Sequence, residues 1–284
     1  MIPAAFDYVR PATVDEAVAA LAAGGEDAKV LGGGQSLLPV LRLRMGAPSV
    51  VVDTTRIDEM KGIDDAGDAV VIGAGVTHHA VMHDALVQEH LALLAKATAT
   101  VADPQIRHRG TLGGALAHAD PAGDQPAVAR ALDASFTIAG PGGRRTVAAA
   151  DFFVDYFTTA VGPDEVLVSV SFPKYTGWGA HYEKFNRTAQ AWAIVGVAAT
   201  VRMDGGAIAE ARVGLTNMGP GPVRASAVEA AVAGAATIEA IAAAAEHAAE
   251  GTSPNSDIHA QAAYREHLAR VLTRRAIASA AGIS

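Results

Sequence analysis

The chain has 284 residues, of which 50% are hydrophobic but only 5% aromatic, so alanine and valine must fill much of a core large enough for two domains. Its 22 basic and 30 acidic side chains leave a net charge of −8, which argues against nucleic acid or an anionic membrane as a partner. The absence of cysteine excludes a disulfide, a thiolate nucleophile, a zinc–thiolate site and a cysteine-held iron–sulfur cluster in this chain.

The first fifty residues predict a small α+β unit in the order strand, helix, strand, glycine loop, strand. Thr13 is the expected N-cap of the helix, and the later strands are expected at 28–31 and 49–53. The N-terminus lacks the basic start and apolar stretch of a signal peptide, and no apolar run approaches the roughly 20 residues of a membrane-spanning helix. These features predict a cytoplasmic protein without a membrane span.

Three consecutive glycines, Gly32, Gly33 and Gly34, follow the strand at 28–31 and precede Gln35 and Ser36. Without Cβ atoms, backbone N–H groups can turn inward together and approach a bound group closely. Such a nest of N–H groups suits a phosphate or pyrophosphate. The alternative is a tight turn that needs positive φ angles and binds nothing.

The next predicted elements are a strand at 69–73 and helices at 78–87 and 90–95, the first of them capped by Thr77. His78, His79 and His83 cluster in the first of these helices, and residues 79 and 83 have the spacing of two metal ligands on one face. A third ligand and a His-Glu-x-x-His motif are both missing. A solvated helix face is therefore favoured over a metal site, and no metal is predicted.

A second glycine loop, at residues 110–115, contains Thr111, Gly113, Gly114 and Ala115. Neither loop is a Walker phosphate loop or a Gly-x-Gly-x-x-Gly dinucleotide fingerprint. A ligand held by two separate loops should be long, with a diphosphate in the middle that backbone amides of both loops would bind. Beyond the second loop, Asp124 could accept a hydrogen bond from this ligand or could cap a helix at 125–132, and one carboxylate could do both.

The remaining pattern predicts strands at 165–172, 182–185, 192–203 and 208–215, with a linker at 173–177 and a turn at 204–206. Two helices follow. The first, at 225–250, is alanine-rich and predicted to pack against a sheet. The second is expected to begin near Ser256 or Asp257 and to place Tyr264, Leu268, Val271 and Leu272 on one face.

Six motifs, distributed over nearly the whole chain, point to one family. They are GGGQSLLP at 32–39, DPQIR at 103–107, GTLGG at 110–114, AHADPAGD at 117–124, YEKF at 182–185 and YREHLARVLTRR at 264–275. Together they resemble the FAD-binding medium subunit of molybdenum hydroxylases, the group of carbon monoxide dehydrogenase and its xanthine-dehydrogenase-like relatives.

The resemblance implies an α+β fold, with a two-subdomain PCMH-type FAD-binding domain at 1–176 and a smaller C-terminal domain, a sheet covered by helices, at 177–284. It implies that the chain binds FAD and transfers electrons as an oxidoreductase subunit. The expected partners are a small iron–sulfur subunit and a large molybdopterin subunit, in a dimer of heterotrimers. FAD is expected to be non-covalent, because Gln35 stands where flavin-linking relatives of this fold have a histidine.

The implied flavin site comprises both glycine loops and several further residues: Val101, Ala102, Asp124, Leu167, Lys184 and Trp192. A cation such as Lys184 near the pyrimidine end of a flavin would stabilise the anion formed on reduction, although an exposed strand lysine is the alternative. Trp192 occupies the place where the family often has a tyrosine that covers one face of the isoalloxazine, and Ala191 stands where an acidic residue is common. The alternative for Trp192 is a core position at the start of a buried strand.

Two other functions remain open from the sequence. One is a stand-alone FAD-dependent oxidase or dehydrogenase of the same fold, and the other is a non-catalytic nucleotide-binding or assembly protein. No catalytic residue is predicted on the chain itself, because the isoalloxazine would carry the redox chemistry.

Overall fold

The computed structural model describes residues 2–283. The N-terminal subdomain consists of β1 (Asp7–Val9), α1 (Val14–Gly24), β2 (Lys29–Leu31), α2 (Leu37–Arg42) and β3 (Val50–Asp53). Its strands form a parallel sheet in the order β1-β3-β2. The Thr13 side chain accepts a hydrogen bond from Glu16 N at the start of α1, so the predicted cap is confirmed. The predicted order of strands and loop is also confirmed, with α2 as an additional helix after the first glycine loop.

The second subdomain contains the long central part of the chain. Its elements are β4 (Ile63–Asp65), β5 (Ala69–Gly73), α3 (His78–His83), α4 (Ala85–His90), α5 (Ala92–Ala99), α6 (Pro104–Arg107), α7 (Leu112–His118), α8 (Asp124–Ala131), β6 (Ser135–Gly140), β7 (Gly143–Ala148), α9 (Ala149–Phe152), β8 (Phe153–Asp155), β9 (Thr158–Thr159) and β10 (Val166–Pro173). Five strands form an antiparallel sheet in the order β4-β5-β10-β6-β7. The strand predicted at 165–172 is confirmed as β10, at the centre of this sheet.

The helix predicted at 78–87 is wrong as a single element. Thr77 caps α3 as expected, but Asp84 adopts an extended conformation and ends that helix. The Asp84 side chain then accepts hydrogen bonds from Leu86 N and Val87 N, and so caps α4. A carboxylate that competes for backbone N–H groups in this way divides the segment into two short helices.

The C-terminal domain is a four-stranded antiparallel sheet covered by helices. Its elements are β11 (Gly179–Phe185), β12 (Val195–Asp204), β13 (Ala207–Thr216), β14 (Val223–Arg224), α10 (Ser226–Val232), α11 (Ile238–Ala245) and α12 (Ala262–Ala281). The strand order is β11-β12-β13-β14, and the sheet packs against α10, α11 and α12 around a core separate from that of the first domain. The predicted strand at 208–215 and the turn at 204–206 are confirmed.

Both predicted C-terminal helices need correction. The single helix expected at 225–250 is divided into α10 and α11, because Gly234 takes a φ of +83° and Thr237 caps a new helix. The last helix begins at Ala262 rather than near residue 256, because the Asp257 side chain accepts hydrogen bonds from His259 N and Ala260 N within a turn.

The buried face of α12 also differs from the prediction. Leu268 and Leu272 are buried as expected, but Tyr264 is 46% exposed. Arg265 is fully buried instead, and its guanidinium pairs with Asp257 and donates to the carbonyl oxygen of Ile194. A buried arginine that is satisfied by carbonyl and carboxylate oxygens gives no apolar signal in a helical pattern.

Within residues 2–283, no helix combines the length and apolar character needed to cross a membrane, and no three His, Cys, Asp or Glu side chains have the spacing to hold a metal ion. His79 and His83 are exposed, in agreement with a solvated helix face. His78 is not, since it is only 4% exposed and lies against Gly110 of the second glycine loop. The interpretation of the histidine cluster as a solvated helix face is therefore wrong for His78.

Burial of His78 should make stability depend on pH. Desolvation lowers the pKa of its imidazole from 6.5 to about 4, so the folded protein favours the neutral ring. The resulting stability is fully present above pH 6.5 and is lost as the pH falls toward 4, by about 3 kcal/mol. In chemical denaturation between pH 7.5 and 4, His78→Gln should lack this loss, so its stability relative to the wild type should rise as the pH falls.

The exposed His259 provides a matched control. His259→Gln, which leaves His78 in place, should still show the loss of stability as the pH falls from 6.5 toward 4. A stability difference between His78→Gln and the wild type that stays constant from pH 6.5 to 4 would contradict this account of His78.

Candidate functional site

A cleft of about 670 Å³ lies where the two subdomains and the C-terminal domain meet. This volume is within the range of roughly 300–1,000 Å³ that is usual for ligand sites. Every residue predicted from the sequence as a ligand contact lines it: Gly32, Gly33, Gly34, Gln35, Ser36, Val101, Ala102, Thr111, Gly113, Gly114, Ala115, Asp124, Leu167, Lys184 and Trp192. The fold therefore brings together side chains and backbone from segments that are far apart in the sequence.

The two glycine loops are in direct contact on one wall of the cleft. A Cβ built on Gly33 would lie 2.2 Å from the carbonyl oxygen of Arg109 and 2.6 Å from Cα of Gly110. A Cβ on Gly113 would lie 2.3 Å from Cβ of Ala74. Glycine is thus required at 33 and 113 because other protein atoms lie where a side chain would be. The absence of a side chain at these two positions does not open space for a ligand.

The first loop has a run of free backbone donors. Within residues 2–283, none of the five N–H groups of residues 32–36 has a hydrogen-bond acceptor in the protein. The loop ends at α2, where Leu38 N donates to the carbonyl oxygen of Gly34, and Gly34 has a φ of +76°. Unpaired N–H groups that are partly removed from solvent form a site for an anion.

The second loop uses its backbone donors differently. The N–H of Gly113 donates to Ala74 O at 2.9 Å, that of Gly114 to Thr111 Oγ1 at 3.0 Å, and that of Ala115 to Thr111 O at 3.0 Å. These three amides hold the start of α7 in place, so the expectation that both loops offer such donors is corrected for residues 113–115. The second loop supplies a surface against which the first loop packs.

A strained turn forms another part of the wall. Ala102, between α5 and α6, is a non-glycine residue with a φ of +43°. The Arg107 guanidinium donates to the carbonyl oxygen of the adjacent Val101 at 2.7 Å and holds this turn. Left-handed backbone at a non-glycine residue is costly and is found mainly where the surrounding structure or a function requires it.

A buried polar network forms the opposite end of the cleft. Asp124 Oδ2 and Lys184 Nζ are 2.8 Å apart, and both side chains are almost inaccessible to solvent. The Tyr182 hydroxyl donates to Asp124 Oδ1 at 2.6 Å, and Lys184 also donates to the carbonyl oxygen of Thr100 at 3.2 Å. The network joins α8 of the first domain to β11 of the second.

Burial controls the protonation of this network. Desolvation raises the pKa of the Asp124 carboxyl, while the Lys184 ammonium and the Tyr182 hydroxyl act in the opposite direction. Desolvation and the Asp124 carboxylate raise the pKa of Tyr182 well above 10, so this phenol keeps its proton and remains the donor. Lys184 has three N–H bonds and donates two of them within the protein, which leaves a third for the cleft that it lines.

These contacts decide three alternatives that the sequence leaves open. Asp124 does not cap α8, since Gly123 is the N-cap residue and no side chain makes a capping bond there. Lys184 is not an exposed strand lysine. Trp192 is not a core residue either, because β12 begins three residues later at Val195 and the indole is 55% exposed at the edge of the cleft.

Several lining residues are missed as ligand contacts by the sequence analysis, among them Lys29, Thr54, Thr55, His78, Glu165 and Gln190. Gln190 Nε2 donates to Asp103 Oδ2 at 2.8 Å, which ties the loop that carries Trp192 to the first domain. Such residues lie in the wall only because distant segments meet. A signal existed for Thr54 and Thr55 alone, since they follow a predicted strand at the end where ligands of parallel sheets are found.

Comparison with known families and proteins agrees with this architecture. Residues 4–175 match the family described as the FAD binding domain in molybdopterin dehydrogenase, and residues 180–280 match the CO dehydrogenase flavoprotein C-terminal domain. The carbon monoxide dehydrogenase medium chain of Hydrogenophaga pseudoflava is 40% identical over 284 residues, covering 99% of this chain and 98% of the relative.

Two solved structures extend the comparison. Carbon monoxide dehydrogenase from Hydrogenophaga pseudoflava, in a form that lacks the Mo-pyranopterin moiety, superposes with a TM-score of 0.95 at 43% identity over 99% of this chain and 98% of its own. Quinoline 2-oxidoreductase from Pseudomonas putida 86 superposes with a TM-score of 0.94 at 36% identity over 99% of both chains. With both family models matched and similarity along its whole length, the chain belongs to the family of FAD-binding medium subunits of molybdenum hydroxylases.

Proposed function

We propose that this chain holds FAD in the cleft between its domains and serves as the electron-transfer subunit of a heteromeric molybdenum hydroxylase. It accepts electrons from iron–sulfur clusters of a partner subunit and passes them to an external acceptor. Bound FAD supplies the redox chemistry, since its isoalloxazine can exchange electrons singly or in pairs. The protein supplies binding, orientation and electrostatics.

The observation that carries this proposal is the row of five N–H groups at residues 32–36, none of which has an acceptor within the described residues 2–283. A diphosphate has the charge and the acceptor oxygens that such a row requires, and the second loop packs against the first on the same wall of the cleft. The donors therefore fit the central part of a dinucleotide. The residues that would hold the diphosphate are those of the first loop.

The buried end of the cleft fits the other part of the cofactor. Lys184 would direct its remaining N–H bond toward the flavin, and its positive charge, partly compensated by Asp124, favours extra negative charge nearby. Tyr182 keeps its proton and holds the Asp124 carboxylate in place. Trp192, at the mouth of the cleft, would cover one face of the isoalloxazine.

The remaining redox centres are assigned to other chains. With no cysteine, this chain cannot hold an iron–sulfur cluster by cysteine thiolates, so we assign the clusters to a small subunit and the molybdopterin to a large one. The dimer of heterotrimers and the cytoplasmic location expected from the sequence belong to the same proposal. We likewise propose a domain boundary between residues 176 and 177.

Substrate oxidation is assigned to a partner subunit as well. The relatives named for carbon monoxide and for quinoline share the fold of this chain, although their substrates are chemically different. We therefore assign to this chain a role that does not depend on the substrate, namely electron transfer through flavin.

Isolation of the chain from its native host tests the function as a whole. The expected product contains FAD, iron, molybdenum and two further polypeptides, as measured by native mass spectrometry and elemental analysis. A yellow protein without iron, molybdenum or further chains would instead support a stand-alone flavoprotein. A colourless protein would support a nucleotide-binding or assembly protein and would contradict flavin binding.

The flavin should be released without breaking a covalent bond. Gln35 cannot form the link that a histidine makes in flavin-linking relatives, and the chain has no cysteine to replace it. Acid precipitation of the holoprotein should therefore transfer all of the yellow flavin absorbance into the supernatant as FAD. Flavin that stays with the pellet after washing in denaturant would show a covalent bond and refute this point.

Alanine substitutions in the first loop should separate ligand binding from folding. A Cβ on Gly32 would have only the Thr111 hydroxyl oxygen within 4 Å, at 3.1 Å, so Gly32→Ala should fold normally while its methyl group occupies cleft space. We expect its Kd for FAD to rise about tenfold or more, which corresponds to about 1.4 kcal/mol. Gly33→Ala should lower both thermal stability and FAD content, because its methyl group meets Arg109 O.

Gly142 is the matched control, since a Cβ there would have no neighbour within 4 Å and the residue lies outside the cleft lining. Gly142→Ala should leave the Kd for FAD and the melting temperature unchanged. A Gly32→Ala variant with unaltered FAD affinity would mean that the first loop is only a turn.

A further inference from the structure

Asn217 connects two walls of the cleft without lining it. It follows β13 and has a φ of +63°, in the left-handed region. Its backbone N–H donates to the carbonyl oxygen of Pro121 at 2.8 Å, within the turn that leads to Asp124. Its side-chain Nδ2 donates to the carbonyl oxygens of Ala193 at 2.9 Å and Ile194 at 3.3 Å. One residue thus contacts both the first domain and the segment next to Trp192.

Trp192 needs such support because its own packing is weak. The indole is 55% exposed, whereas the next two residues, Ala193 and Ile194, are 2% and 7% exposed. The position of the ring is therefore set by the backbone that follows it. Asn217 holds the carbonyls of both buried residues, and Arg265 donates to that of Ile194 as well.

The residue type at 217 meets two requirements. Asparagine is among the few non-glycine residues that adopt left-handed backbone readily, and its amide nitrogen supplies two N–H bonds for two carbonyl oxygens. Glycine would meet the backbone requirement alone. Aspartate would keep the shape of the side chain but would direct a carboxylate oxygen at two carbonyl oxygens.

We infer that Asn217 is a positioning residue, which fixes the Trp192 indole relative to the turn at 119–124 and so sets the cleft width on this side. The inference rests on the proposed function in one respect, namely that the cleft holds FAD beneath Trp192. The position of the indole itself can be measured without flavin.

Fluorine NMR of the full chain labelled with 5-fluorotryptophan measures that position. The chain has two tryptophans, Trp178 and Trp192, so two resonances are expected, and Trp178→Phe assigns them. Asn217→Gly, which preserves the backbone conformation, should shift the Trp192 resonance and leave that of Trp178 in place. Asn217→Asp is the second variant and should shift it as well.

Gln88→Ala is the control, because it removes another side-chain amide that donates to a backbone carbonyl, that of Met82 in the first domain. Both resonances should remain unchanged in this variant. A Trp192 resonance that is unchanged in Asn217→Gly and Asn217→Asp overturns the positioning role.

Flavin emission then tests the consequence for the cofactor. An indole stacked on isoalloxazine quenches its emission, so Trp192→Ala should brighten protein-bound FAD several-fold, with the emission expressed per bound flavin. Asn217→Gly should also brighten it, and should add nothing in the Trp192→Ala background, because both changes act through one ring. Additive brightening in the double variant would overturn the role of Asn217 at the cofactor.

The two measurements separate the two ideas. Unchanged FAD emission in Trp192→Ala would refute the proposed contact between the ring and flavin, while the NMR shift would still decide the role of Asn217. An unchanged NMR spectrum in the Asn217 variants, with bright FAD in Trp192→Ala, would refute the positioning role alone.

Discussion

The cleft depends on the buried ion pair between Asp124 and Lys184. Taking both charges out of water costs several kcal/mol each, and their attraction offsets this only if the remaining hydrogen-bonding capacity is also satisfied. The Tyr182 hydroxyl donates an additional hydrogen bond to Asp124, and the carbonyl oxygen of Thr100 accepts one from Lys184. Removal of either partner would leave the other charge unpaired at this depth and would cost roughly 3–5 kcal/mol, so the docked arrangement of the two domains requires both side chains.

The pair can form because glycines bring the domains close. A Cβ on Gly196 would lie 2.6 Å from the Tyr182 hydroxyl, so the absence of a side chain in β12 leaves room for that hydroxyl to reach Asp124. A Cβ on Gly214 in β13 would lie 2.2 Å from the carbonyl oxygen of Ala127 in α8. Two small positions on the C-terminal sheet therefore allow the helix that carries Asp124 to rest directly on it. The polar network at the site is a consequence of this close packing.

Local pattern predicted the strands better than the helices. Alternation and β-branched residues identified β10 and β13, because strand signals of this kind are set by neighbours along the chain. The helix at 225–250 was predicted as one element because alanine is a strong helix former on both sides of Gly234, and a single glycine costs only about 1 kcal/mol in a helix. The break there needs both the left-handed glycine and the Thr237 cap.

For the site, too, the local sequence identified residues but not the partners that they meet in space. All fifteen predicted contact residues line the cleft, but the roles of Asp124 and Trp192 depend on partners far away in the sequence.

The two glycine loops show most clearly why a motif does not determine a role. In composition they are alike. Within the part of the chain that the structure describes, however, the first leaves five consecutive amides free and the second commits those of residues 113–115 to hydrogen bonds. The difference arises from the spatial neighbours of Gly33 and Gly113, since the first packs against the second loop and the second packs against Ala74. The close contact that Gly33 permits with Arg109 and Gly110 therefore holds the first loop against the second. Binding at the first loop consequently depends on the second even though the second contributes few donors of its own.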